Sequence, residues 1–155
     1  MKQTGIQKLW HQDHFVTAID HKDIDNPSSD SLHALLYIDP EELPTPYAEL
    51  IGDYSIQLET KAGYLSGFTN RIVDDYHTRY VWVFEQALLH AAATKHSLSS
   101  ELAISERVVG CMGNSFPELV DPEDEFKRAG DDPQLWSIGA AQYFDKPAES
   151  LISKL

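Results

Sequence analysis

Between Tyr47 and Leu88 apolar residues recur three and four positions apart. The series runs Tyr47, Leu50, Ile51, Tyr54, Leu58, Ala62 and Leu65, then Phe68, Ile72, Tyr76, Tyr80, Phe84 and Leu88. That spacing lines one face of an α-helix. Gly63 and Gly67 interrupt it, and each glycine costs about 1 kcal/mol relative to alanine inside a helix. The pattern therefore predicts two helices broken at the glycines, the second running to about His96. A third helix is predicted over about 98–112, with Ile104, Val108, Cys111 and Met112 on one stripe. Gly113 and Asn114 can end it in a left-handed turn. Shorter helices are predicted at about 122–129, 133–143 and 147–154.

Helix-start chemistry recurs along the chain, since proline fits the first helical position and a small polar residue before it accepts orphan N–H groups. Asp39-Pro40-Glu41-Glu42 has this form, with Glu42 placed to complete a capping box. Thr45-Pro46, Asp121-Pro122 and Asp132-Pro133 repeat the signal. Residues 20–31 are polar enough for an exposed loop, and Leu32–Ile38 is too short for periodicity to decide. Tyr54–Leu58 and Tyr80–Phe84 also carry the aromatic and β-branched composition of strands. The expected fold is an all-α, single-domain bundle of five or six helices over residues 1–155, and α+β with a small sheet is the alternative. Within it, 1–44 would be an acidic segment with a loop, 45–112 the helical core, and 113–155 a set of short helices.

Charge changes the picture more than composition does. Twenty-five acids against twelve bases leave the chain at −13. Residues 13–53 hold ten acids and one base, Lys22, which puts −9 on that stretch. Such a field repels phosphate backbones and anionic lipid and draws basic proteins. No apolar run approaches the roughly eighteen residues of a membrane helix, and the single cysteine, Cys111, excludes an internal disulfide. A reducing cytoplasm is the expected compartment. Direct nucleic-acid or membrane binding is not expected.

The expected function is an acidic cytoplasmic interaction module that sequesters or chaperones a basic protein partner, as an immunity protein, a chaperone or a nucleic-acid-mimicking inhibitor would. Asp20, Asp23, Asp25, Asp39, Glu41 and Glu42 are its candidate partner-binding residues. His11, His14 and His21 sit among carboxylates, the donor types a divalent metal takes, and a solvated polar loop explains the same residues. Tyrosines 47, 54, 64, 76 and 80, with Trp82 and Phe84, could pack as core or line a pocket. The alternative function is a small helical enzyme or a ligand- or metal-binding domain using such tyrosines with His77 or His90. No nucleophile elbow and no glycine-rich phosphate loop is present, so no catalytic residue and no cofactor is predicted. Neither the oligomeric state nor the partner's identity can be read from the residues.

Overall fold

In the computed structural model one helix, α5 (Val83–Lys95), runs through the middle of the protein. Described are residues 2–16, 18–20, 22–24, 26–43, 46–67 and 76–144, with the side chains of 2–4, 18–20 and 22–24 left aside. In chain order the elements are α1 (Lys2–Leu9), β1 (Trp10–His11), β2 (His14–Phe15), β3 (Ala18–Asp20), β4 (Lys22–Ile24), α2 (Asp30–Tyr37) and α3 (Tyr47–Ser55). Then follow α4 (Tyr76–Arg79), β5 (Val81–Trp82), α5, α6 (Ser99–Met112), β6 (Leu119–Val120), β7 (Arg128–Ala129) and α7 (Leu135–Phe144). Single 3₁₀ turns lie at Pro40–Glu42 and Ile56–Leu58.

α5 is buried on nearly every side, as a helix without a continuous polar face must be. Ala91, Ala92 and Ala93 leave room for close neighbours, and α2, α6 and α7 all pack against it. It joins two apolar clusters. One gathers Phe15, Leu32, Leu35, Ile51, Tyr64, Leu89 and Ile104; the other gathers Val81, Val83, Ala87, Val108, Val120 and Ala140. The core therefore draws on both acidic flanks as well as on residues 45–112, because Phe15, Leu32 and Leu35 come from one flank and Val120 and Ala140 from the other.

The all-α expectation is corrected: the fold is mostly helical but carries small antiparallel sheets, in line with the α+β alternative. β5 pairs with β6 (Val81 with Val120, Trp82 with Leu119), and β6 pairs with β7 (Leu119 with Ala129, Val120 with Arg128). Two hairpins, β1–β2 and β3–β4, lie near the N-terminus. The helical period through Tyr76, Tyr80 and Phe84 is broken because Val81 and Trp82 are taken into the sheet and the helix restarts at Val83. Tyr54–Leu58, the other strand candidate, is helical. The helix predicted over 122–129 is instead a turn leading into β7. Asp121 Oδ1 accepts the N–H groups of Glu123 (3.0 Å) and Asp124 (3.3 Å), and such side-chain bonds compete with helix formation.

The first helix stops at Ser55, with a 3₁₀ turn to Leu58, before the glycine at which a break is expected, and Gly63 shapes the turn that follows. Gly63 adopts φ 138°, and buried Gln86 holds the next residue at both ends: Tyr64 N donates to Gln86 Oε1 (2.8 Å) and Gln86 Nε2 donates to Tyr64 O (2.9 Å). A Cβ on residue 63 would stand 2.5 Å from that Oε1. At the other predicted stop Gly113 has φ 61° directly after α6, as the sequence indicates.

Candidate functional site

The short turn α4 and strand β5 bring a group of rings to the surface. Trp82 lies near-parallel to His77 with centroids 5.7 Å apart, and its Nε1 donates to the His77 carbonyl at 3.0 Å. Tyr76 meets Trp82 edge-on at 5.5 Å and Tyr80 at 5.7 Å. Phe84, the second residue of α5, meets Trp82 at 5.9 Å and reaches Trp136 of α7 at the same distance. Alternation along β5 accounts for the arrangement, since Val81 faces the core and Trp82 the opposite side. Trp136 is 68% exposed and Tyr76 45%. Large rings left in water at the end of a packed core mark a binding surface more often than a scattered apolar residue does.

These rings wall a cleft of about 170 Å³ lined by Trp82, Phe84, Glu118, Gln134 and Trp136. Its two polar groups are fixed by backbone bonds. Val83 N donates to Glu118 O (3.2 Å), Glu118 N to Asp131 O (2.8 Å) and Gln134 N to Phe116 O (2.7 Å). Asp131 N donates to Glu118 Oε2 at 3.2 Å. The Tyr76 phenol is pushed up by desolvation and then by the charges of Glu118 and Asp131. The cleft thus combines flat apolar faces with a carboxylate and an amide in one small concavity.

A polar chain runs from buried Glu85 to the His77 carbonyl that also accepts from Trp82. Glu85, in the first turn of α5, accepts a hydrogen bond from Ser29. Burial raises its carboxyl to about 7, with the Ser29 bond opposing. Ser29 N donates to Ser66 O (3.0 Å), and Ser66 donates to the carbonyl of His77. Burial also lowers His33. His90, bonded at 3.2 Å to Ser105, is likewise lowered by burial. It touches the ring of Phe144 at 5.2 Å and stands apart from the residues lining the cleft.

The residues singled out from sequence are divided by the structure. Tyr47 packs on Trp10 (4.1 Å), Tyr54 stacks on His14 (3.8 Å) and Tyr64 is fully buried, so these three are core. Tyr76, Tyr80, Trp82 and Phe84 belong to the surface cluster. Among the acids, Asp39 pairs with Lys95 at 2.8 Å and its N–H donates to Glu42 Oε2 at 3.2 Å, which completes the expected cap. Glu41 is exposed. Asp20 and Asp23 fall in the β3–β4 hairpin, opposite Lys22 and Ile19, and Asp25 lies outside the described residues. The rings of His11 and His14 stand 5.8 Å apart, and His14 Nδ1 lies 2.6 Å from Asp13 Oδ1. His21 lies outside the described residues, among which no group of three or more His, Cys, Asp or Glu side chains is gathered to hold a metal. No described helix is long and apolar enough to cross a membrane. Sequence reasoning missed Glu118, Asp131, Gln134 and Trp136. Only Trp136, a large ring just after the Asp132-Pro133 start signal, carried a local hint.

No described protein family and no curated protein matches the chain. Among solved structures it is similar to the crystal structure of a GH63 mannosylglycerate hydrolase from Thermus thermophilus in complex with Tris, with a TM-score of 0.74 and 15% identity. The likeness covers 93% of this chain and 36% of that one. The chain therefore spans about a third of its neighbour's length, and what the two share is fold.

Proposed function

We propose that this chain binds a saccharide in the cleft between Trp82, Phe84 and Trp136, with Glu118 and Gln134 as its polar partners. The observation that carries the reading is the cleft's composition. A sugar ring offers C–H faces that stack on aromatic planes, and hydroxyls that need acceptors and donors held in place. Glu118 supplies an acceptor, Gln134 both kinds of group, and the volume is below the usual range for drug-sized ligands, which suits a single ring. The solved structure of similar fold is a hydrolase named for a mannosyl compound, and this supports a sugar as the ligand class. Hydrolysis of a glycosidic bond by the usual route needs two carboxyl groups across the bond. Among the described residues Glu118 is the one carboxylate lining this cleft, and the activity we propose for the chain is binding.

Calorimetric titration with a panel of neutral oligosaccharides tests the reading. Binding is expected to weaken at least about tenfold in Trp82→Ala and in Trp136→Ala, roughly 1.4 kcal/mol for each ring lost. A panel bound with equal affinity by wild type and both variants would remove the cleft from the reading. The basic protein partner expected from charge stands as a second proposal, motivated by the exposed Glu41 in the −9 stretch. Partner capture lost at high salt would support it.

A further inference from the structure

The charge around the cleft is one-sided. Glu118 lines it, and Asp131 is tied to Glu118 through its backbone N–H. Tyr76, whose ring meets the lining residue Trp82 edge-on, lies in the field of Glu118 and Asp131. No lysine or arginine is among the lining residues. Arg79 lies 3.4 Å from Asp121 and over the Tyr80 ring at 5.3 Å, and Lys127 is 3.7 Å from Asp124. The guanidinium of Arg128 lies against Gly113. Among the described residues no ion pair joins Glu118 or Asp131 to a cation.

The remaining walls carry the same sign in a weaker form. The faces of Trp82, Trp136 and Phe84 are the negative side of the ring quadrupole and attract cations. A carboxylate beside such faces in a concave site focuses the field on whatever sits between them. An ammonium there donates a charge-assisted hydrogen bond to the carboxylate and gains a ring contact, whereas an anion meets like charge.

We propose that the cleft selects a sugar bearing an ammonium group over a neutral sugar of the same shape, and the neutral sugar over an anionic one. This rests on the saccharide reading above and names the substrate class of that site. Glucosamine, glucose and glucuronate form the matched series, compared at about pH 6, where the amine is protonated and the uronate ionised. N-acetylglucosamine is the uncharged control for the amine. Affinities are read by ligand-observed NMR at low ionic strength.

Glucosamine is expected to bind about tenfold more tightly than glucose, glucuronate at least about tenfold more weakly, and N-acetylglucosamine about as glucose does. In Glu118→Gln, which also alters an acceptor the sugar uses, all four affinities are expected to fall and the ranking among them to flatten. Asp131→Asn, which removes a charge at the rim, is expected to flatten it in part and serves where the first variant loses the native amide spectrum. Glucosamine no tighter than glucose, or glucuronate equal to glucose, would overturn the charge selection and leave the saccharide cleft standing. If none of the four sugars and no neutral oligosaccharide binds, the saccharide reading itself fails and this proposal with it.

Discussion

Replacing Glu85 by glutamine keeps the shape of a buried side chain and removes its charge. In the folded protein the carboxyl is 6% exposed and accepts a hydrogen bond from Ser29, and burial lifts it from its ordinary 4.5 to about 7. That rise corresponds to about 3 kcal/mol. For an acid raised in the folded state, the native protein holds the proton more tightly than the unfolded chain does. The contribution to stability is then fully present below about pH 4.5 and is lost as pH rises through about 7. Glu85→Gln carries no such proton and can still accept from Ser29. The variant is expected to exceed wild type by about 1 kcal/mol near pH 5 and by about 3 kcal/mol near pH 8. Urea unfolding followed by far-ultraviolet circular dichroism at a series of pH values measures the difference, and taking it between the two proteins cancels the titration of the remaining acids. A difference that does not change with pH, or a variant less stable than wild type near pH 8, would refute the reasoning.

Three further outcomes follow from geometry. Gln86→Leu leaves the Tyr64 N–H and carbonyl buried without their partner, and should cost about 2–5 kcal/mol in the same unfolding assay; a loss under about 1 kcal/mol would show that the clamp contributes little. Gly113→Ala places a side chain at φ 61°, ψ −125°, beside Arg128, so a cost of about 1–3 kcal/mol is expected, and a neutral substitution would mean that the end of α6 relaxes freely. The Cys111 thiol, pushed up by burial and donating to the Arg107 carbonyl at 3.4 Å, should react with iodoacetamide near pH 8 more slowly than free cysteine does. Reaction as fast as the free amino acid would contradict that setting.

Helix ends set by local chemistry were legible in the residues. Gly113 terminates α6 and Glu42 completes the cap at Asp39, whereas the first helix stops at Ser55, ahead of the glycines expected to break it. The sheet was less so, because β5 is two residues long and its pairing depends on Leu119 and Val120, nearly forty residues away. Asp121-Pro122 misled for a different reason: its side chain serves a turn as readily as a helix start, and the tertiary pairing of β6 with β7 decides between them. Half of the site was visible as a run of rings from Tyr76 to Phe84. Their division into core and surface was not, since Tyr64 and Tyr76 differ in burial only through what folds over them. Glu118 and Gln134 reach the cleft through backbone bonds to Val83 and Phe116, and no local spacing announces that convergence.

The three tryptophan indoles give the most direct test of the cleft. Trp10 packs between Phe15 and Tyr47, whereas Trp82 and Trp136 line the proposed binding site. In a ¹⁵N-labelled sample titrated with a neutral oligosaccharide that binds by calorimetry, the Trp82 and Trp136 indole N–H signals are expected to move together while Trp10 stays fixed. Saturation of binding with both cleft signals unmoved, or with Trp10 alone shifting, would contradict a saccharide site at this place.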